Sequence, residues 1–255
     1  MPDEQGSSAR NDSGVDIAQK ALPENGGQTQ YQFSKALQSR TIKIITSQGA
    51  EFYVHEELLC RESDRFERQL KGDFKEAKTG EITDFDECPE LLGMFFEYLY
   101  RQSFLWDSSL SSGWEMRILA RLYCLAERLC AKSFQDAVFR KFSHLFHGKY
   151  TVPDLEVFET LVICHTELPE RKDEDYPMRR IALWWTASRL SGLKKTPIFK
   201  KTILDHYPEL GSQLLLLAEP GGSAEKPQYP TVESVPRFTQ EIKFAKRATD
   251  SSLPE

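Results

Sequence analysis

The 255-residue chain lacks the composition biases of fibrous, coiled-coil or wholly disordered proteins. It has 14 glycines and 13 prolines, and 40% of its residues are hydrophobic, so it can build a buried core without disulfides or metals. It also lacks a run of about 18 apolar residues and a basic, apolar start of the secretory kind. We therefore expect a cytoplasmic or nuclear protein that does not bind a membrane.

Cysteine and positive charge are both in short supply. The five cysteines are odd in number and widely spaced, which predicts reduced structural thiols rather than a disulfide framework; they are Cys60, Cys88, Cys124, Cys130 and Cys164. The 33 basic residues are outnumbered by 39 acidic ones, for a formal net charge of -6. Because an acidic chain repels phosphate backbones, nucleic acid is a disfavoured partner.

The motifs of catalytic and metal sites are missing as well. A zinc site needs thiolates and imidazoles in closely spaced pairs, and the cysteines and histidines show no such pairing. Gly148–Lys149 lacks the earlier glycine of a phosphate-binding loop, and no Gly-x-Ser-x-Gly turn occurs. The sequence therefore predicts no enzyme, no catalytic or metal-binding residue and no cofactor. An enzyme would need a concave pocket with converging titratable groups.

Composition divides the chain into four parts. Residues 1–30 and 218–255 are rich in polar residues, glycine and proline, and are predicted to be a disordered arm and tail. Residues 31–147 are predicted to form a mixed α/β domain, and residues 148–217 a helical extension. The fold class predicted is thus α+β, with a small sheet and a cluster of helices followed by an all-helical segment.

Within 31–147 the pattern changes from short strands to long helices. Residues 41–46 and 51–54 predict a hairpin, with two short helices after it and Ser63 or Asp64 as the cap of the second. Residues 80–85 predict a third strand, and Pro89 opens a helix. A helix is predicted over 114–129, and another behind Ser133 with Asp136 completing a capping box. Prolines at 153, 177, 197 and 208 predict four more helices.

Two surface features leave alternatives open. Phe104-Leu105-Trp106 lies between two predicted helices, where it either packs onto its own domain or contacts a partner. Lys194-Lys195 and Lys200-Lys201 make the extension locally basic. Those lysines form either a solvated helix face or a docking site for an acidic peptide, with nucleic acid a weaker alternative.

Residues from Ile42 to about Phe146 resemble a BTB (POZ) domain, and with the extension the chain resembles fungal-type BTB domain-containing proteins. Three ordered segments carry the resemblance. The run from Phe52 to Phe66 has the aromatic, Val, His, Leu, Ser and Phe positions, and residues 72–77 match the next pattern except for Ala77 in place of Ser. Residues 96–100 are similar to the family helix that ends in Tyr-Leu-Tyr.

The resemblance implies a structural role for the matched residues. We expect His55 and Leu59 to fasten the hairpin to the first helix, Ser63 to cap the second, and Phe66 and Tyr98 to fill the core. Where many members have Asp before the first strand, this chain has Arg40-Thr41. The segment from Tyr31 to Leu37 is the candidate dimer helix, and the candidate dimer residues are Phe33, Leu37 and Ile42.

The function implied is protein binding without catalysis. Many members are adaptors that join a cullin ubiquitin ligase to a substrate through the loop after the Tyr-Leu-Tyr helix, here residues 102–112. Phe104, Leu105 and Trp106 are therefore the candidate partner-binding residues. The alternative is a structural or nuclear transcription regulator that acts by homodimerising. The candidate partners are proteins, a cullin scaffold and a second copy of the chain among them.

Overall fold

The fold is seen in a computed structural model that describes residues 33–103, 112–147, 152–170 and 176–218. The predicted N-terminal arm lies outside these ranges, as do residues 219–255 of the predicted tail and the aromatic residues Phe104, Leu105 and Trp106. Ala218, the first residue of the predicted tail, is the last residue of a helix.

A three-stranded sheet forms one part of the fold. Its strands are β1 (Thr41–Thr46), β2 (Glu51–His55) and β3 (Glu81–Phe85), arranged in the order β2-β1-β3. The hairpin pairs β1 with β2 antiparallel, and β3 then joins the other edge of β1 in parallel. The predicted hairpin and third strand are confirmed, and so is the coarse α+β class.

Short helices connect β2 to β3. They are α1 (Glu56–Glu62), α2 (Asp64–Lys71) and α3 (Lys75–Thr79). The first two match the prediction, whereas α3 is an addition. It is only five residues long, buries none of its side chains and stops at Gly80, whose φ of 70° is in the left-handed region. Such a helix has no apolar period that a sequence pattern would display.

The remaining helices follow β3. They are α4 (Pro89–Arg101), α5 (Ser112–Arg128), α6 (Lys132–His147), α7 (Asp154–Glu167), α8 (Pro177–Ser188), α9 (Leu190–Leu193), α10 (Pro197–Asp205) and α11 (Pro208–Ala218). Four of them start at or just after the four prolines, as predicted, because the fixed φ of proline suits a first helical turn. The single turn α9 was not predicted.

Helix α5 is the centre of the helical packing, with α6 on one side and α7 on another. Three contacts join α5 to α7. Arg117 bonds to Glu159 at 2.7 Å, Cys124 to Cys164, and Arg128 to Glu167 at 3.2 Å. These contacts advance in the same direction along both helices, so α5 and α7 run parallel. The antiparallel helix α6 connects them.

The buried residues form two clusters that meet at α7. The first runs from Ile42 and Ile44 in the sheet through α4, α5 and α6 to Cys164 and Ile181. The second contains Phe158 and Leu161 of α7 together with residues of α8 to α11. The first core therefore continues past the boundary predicted at residue 148.

Two helix corners are hydrogen-bonded to each other across this core. The Ser63 hydroxyl, fully buried between α1 and α2, donates to the Leu129 carbonyl at 2.5 Å and accepts from Phe66 N–H at 3.2 Å. Asp64 N–H donates to the Cys130 carbonyl at 3.4 Å. Ser63 thus caps α2 and at the same time ties the α1–α2 corner to the α5–α6 corner.

Another hydrogen bond between these two corners shows that the predicted capping box is wrong. Ser133 is the second residue of α6 rather than its cap, and Asp136 pairs with Lys132 at 3.1 Å. The acceptor for the first turn of α6 is instead Glu62, which receives Phe134 N–H at 2.8 Å and also bonds Ser133. The cap comes from a residue distant in sequence, so a local pattern could not identify it.

The α5–α6 corner is made tight by a left-handed residue. Ala131 N–H donates to the Ala126 carbonyl at 2.9 Å and Cys130 N–H to the Glu127 carbonyl at 3.0 Å, which is a Schellman motif. Cys130 has a φ of 53°, a conformation that costs a non-glycine residue about 1–2 kcal/mol. The corner hydrogen bonds to Ser63 and Asp64 hold this geometry.

A charged group links the sheet region to the extension. The Arg128 guanidinium makes two 2.8 Å bonds to the carboxylate of Glu87, whose side chain is only 6% exposed. It also bonds Glu167 at the end of α7. These hydrogen bonds raise the pKa of Arg128 above its ordinary value. Paired guanidinium and carboxylate groups of this kind fix orientation as well as charge.

Replacing Ser63 by Ala should destabilise the protein, because the change removes the cap of α2 and leaves the Leu129 carbonyl without its donor. We expect a loss of about 2–4 kcal/mol in the free energy of unfolding, measured by urea denaturation. Ser212→Ala is the matched control, since Ser212 is exposed and its hydroxyl donates to the Pro208 carbonyl within the same helix. Equal midpoints for the two variants would contradict the role of Ser63.

Glu62 should make stability depend on pH. Burial raises its pKa above the ordinary value of 4.5, so the folded protein binds the proton more tightly than the unfolded chain. This contribution to stability is full below pH 4.5 and is lost as the pH rises through the raised pKa.

Glu62→Gln should remove that fall with rising pH, since glutamine cannot ionise but still accepts from Phe134 N–H. Urea unfolding from about pH 4 to pH 7 measures the difference between the two proteins. Glu62→Ala, which also lacks the acceptor, is expected to be less stable at every pH. A glutamine variant whose curve stays parallel to that of the wild type would contradict the assignment.

Candidate protein-interaction surfaces

His55 lies at the junction between β2 and α1. Its backbone N–H donates to the Tyr100 hydroxyl at 3.2 Å, and its Nδ1 lies 2.9 Å from the same oxygen. The two rings pack edge to face. His55 therefore connects the end of the hairpin to the end of α4, and its neighbour Leu59 is fully buried.

Phe66 and Tyr98 belong to an aromatic cluster in the core. Phe66 stacks on Phe85 with ring centroids 5.5 Å apart, and Tyr98 packs against Phe134 at 5.0 Å. Burial raises the pKa of Tyr98 to about 12. Both side chains are almost fully buried, so these two positions serve packing and offer no surface to a partner.

The three candidate dimer residues lie in different environments. Phe33 is half-buried against the core, and the Leu37 side chain is 40% exposed. Ile42 is completely buried at the centre of the sheet and offers nothing to a second copy. The strand pattern around Ile42 already favoured an inward position, because alternate residues of β1 are buried.

A groove lies beside a helical turn at residues 33–36, within the predicted dimer helix. It has a volume of about 530 Å³ and is lined by Lys35, Ala36, Gln38, Ser39, Glu57 and Arg61. The Ser39 hydroxyl shapes its floor by donating to the Ala36 carbonyl at 2.7 Å and accepting from Glu57 N–H at 3.2 Å. The sequence did not reveal this groove, because its walls come from two segments about 20 residues apart.

The ends of the predicted partner-binding loop can be described. Helix α4 stops at Arg101, and Gln102 has a left-handed φ of 53° that turns the chain away from the helix axis. On the other side of the loop, Trp114 in the first turn of α5 is 46% exposed. Phe104, Leu105 and Trp106 lie between these points, outside the described residues. Trp114 is thus an exposed aromatic residue that was not among the predicted partner-binding residues.

A partly buried ion pair lies next to Trp114. Lys141 Nζ is 3.8 Å from Glu115 Oε1. Burial raises the pKa of Glu115 and lowers that of Lys141, while their mutual attraction opposes both changes. The charged forms of both groups are therefore less stable here than in water, because partial burial removes part of their hydration.

Two more aromatic side chains are exposed on the α/β part. Tyr53 is 62% exposed on the outer face of the hairpin, where its hydroxyl bonds Glu51 at 3.2 Å. Phe74 is 59% exposed before α3. Alternation along β2 was a usable signal for Tyr53, since Phe52 and Val54 on either side are directed inward.

In the part of the chain that the structure describes, the thiols and carboxylates show no grouping suited to metal chemistry. Within the described ranges, no three His, Cys, Asp or Glu side chains converge as metal ligands. Cys124 and Cys164 are buried neighbours, and their hydrogen bond together with burial raises the pKa of Cys124. Burial raises the pKa of Cys60 to about 11. The thiols of Cys60 and Cys124 are therefore held in the uncharged form, which suits packing rather than nucleophilic attack.

Comparison with family models finds no match to this chain, and comparison with curated proteins finds none either. In the described parts of the chain, every helix is too short or too polar to cross a bilayer.

Proposed function

We propose that the chain is a non-enzymatic protein-interaction module of the BTB type, an adaptor that joins a scaffold, with a cullin ubiquitin ligase as the leading candidate, to a client protein. The observation that carries the proposal is the placement of the run from Phe52 to Phe66. In this run, His55 joins the hairpin to α4, and Leu59 and Phe66 are buried in the core. Ser63 caps α2.

The element order supports the same proposal. A hairpin, short helices, a third strand beside the first and then longer helices follow one another from residue 41 to residue 147. Of the residues that resemble the family pattern, Leu59, Ser63 and Phe66 lie at core and cap positions of this arrangement. Arg128, whose pKa is raised, forms a structural ion pair with the buried carboxylate of Glu87.

The scaffold contact is assigned to the α4–α5 connection. Its aromatic residues Phe104 and Trp106 are followed by the exposed Trp114. Aromatic side chains bury a large area at small entropic cost and commonly dominate interface energetics. A connection with this composition, between two helices anchored in the first core, is suited to present such residues to a rigid partner.

Replacing Phe104 and Trp106 together by Ala should abolish scaffold capture. In an affinity purification from the source cell at native expression, recovery of the cullin should fall by about tenfold or more, because hot-spot aromatics each contribute about 2 kcal/mol or more. Tyr53→Ala is the control, as it removes an exposed aromatic from the hairpin. Failure of the unmodified protein to recover any cullin would remove the ligase version of the proposal.

The second candidate function is homodimerisation, as in a structural or nuclear transcription regulator. It is favoured by the exposed Leu37, which directly follows Ala36 in the wall of the groove. An apolar side chain beside a groove with both Lys35 and Glu57 gives a surface that a second copy can complement by two-fold symmetry.

Leu37→Asp should then weaken a dimer, since it places a charge at the apolar centre of the contact. Light scattering coupled to size exclusion at micromolar concentration should change from about twice the monomer mass of 29.4 kDa to the monomer mass. Leu204→Asp, at an exposed leucine far along the chain, should leave the mass unchanged. A wild-type protein that is monomeric at this concentration would exclude this function.

A further inference from the structure

The extension contains a run of one-signed charge. From Tyr176 to Leu204 the sequence has seven basic residues and no acidic one, although acidic residues outnumber basic ones in the whole chain. Two of the arginines are used internally. Arg179 donates to the carbonyls of Cys164 and Leu168, and Arg189 pairs with Asp154 at 3.0 Å.

The lysines of this run are directed to solvent. Lys194, Lys195, Lys200 and Lys201 are all exposed. Among the residues that the structure describes, none of the four has a carboxylate oxygen within 4.0 Å, whereas Lys43, Lys71 and Lys132 each have one. The four ammonium groups therefore form a local positive field that the described part of the chain does not neutralise.

Exposed aliphatic side chains interrupt this positive surface. Helix α10 packs by Phe199 and Ile203, and Phe199 meets Phe158 of α7 at 4.7 Å. The opposite side of the helix carries Ile198, Lys201 and Leu204 at three-residue spacing. Ile198 is 57% exposed, and Leu204, at 73%, has the highest exposure of the large hydrophobic residues described.

We propose that this basic–apolar face, formed by Lys194, Lys195, Ile198, Lys200, Lys201 and Leu204, binds an acidic peptide segment of a partner protein, with aliphatic side chains between its carboxylates. The inference goes beyond the proposed function, because the face lies on the second core and does not require scaffold binding by the α4–α5 connection. It gives the extension a ligand chemistry of its own.

The mixture of side chains favours a peptide over other polyanions. Lys201 lies between the exposed side chains of Ile198 and Leu204 on α10. A matching ligand therefore carries a carboxylate with apolar groups on both sides of it. A phosphate backbone provides charge but no aliphatic groups that would cover Ile198 and Leu204. The face also lacks arginine and aromatic residues, the side chains that grip nucleic acids.

The energetics require both kinds of contact. Exposed ion pairs each contribute little, so four lysines alone give weak binding that salt abolishes. Burying Ile198 and Leu204 against the peptide adds hydrophobic binding free energy, which salt does not screen. Asp205 is exposed at the end of α10. Its negative charge would repel an acidic residue of the peptide placed next to it.

The test uses the full chain and fluorescence anisotropy with a labelled peptide in which pairs of Glu alternate with Leu at helical spacing. We expect saturable binding with a Kd of about 10–100 µM, weakened about tenfold when every Glu of the probe is replaced by Gln. The Lys200→Glu, Lys201→Glu double variant should lose about tenfold in affinity. Leu204→Ser should lose about threefold or more, at low and at high salt alike.

Lys75→Glu with Lys78→Glu is the matched control, since it makes the same change in net charge on α3, where both lysines are exposed. It should keep the affinity within about twofold of the wild type. Absence of saturable binding, or an equal loss in the control, would overturn the proposal. It would also be overturned if a single-stranded oligonucleotide or phosphatidylserine vesicles bind the wild type more tightly than the peptide and lose binding in the Lys200/Lys201 variant.

Discussion

The hydrogen bonds between two helix corners are the constraint on which the rest of the arrangement depends. One corner, at Glu62 to Asp64, ends α1 and starts α2, and the other, at Leu129 to Phe134, ends α5 and starts α6. The Leu129 carbonyl of the second corner accepts from the buried Ser63 hydroxyl of the first. In return, the Glu62 carboxylate of the first corner accepts from the Phe134 N–H at the start of α6. Because α5 is the centre of the helical packing, fixing its end fixes the sheet region and the extension together.

Much of the architecture was accessible from the sequence, since it depends on local signals. The β-branched run of β1, the three-four apolar spacing of α5 and the prolines before the later helices each act within a few residues. The parts that were missed depend on distance along the chain or on short length. Glu62 caps a helix that starts 70 residues later, Arg128 reaches Glu87 across the fold, and α3 is too short to show a period.

The candidate interaction residues divide in the same way. Residues chosen for their place in a pattern, such as Ser63 and Phe66, lie where core and cap positions require them. Residues chosen as surfaces were harder to place. Ile42 belongs to the core, while the groove beside Leu37 depends on two segments that only the fold brings together. Exposure is a property of what the other elements leave uncovered, and a sequence pattern records only the preference of its own element.

The parallel packing of α5 against α7 has a consequence for the order of synthesis. The side of α5 that carries Arg117 and Cys124 is completed by helices that end near Trp185, which follows Arg128 by 57 residues. At about 5–20 residues per second, a ribosome needs roughly 3–11 s to add them. For that interval the nascent chain contains all three strands of the sheet and an open apolar face on α5. Exposed apolar surface of this kind is prone to aggregation and is bound by general chaperones. Folding of the extension onto α5 covers this surface.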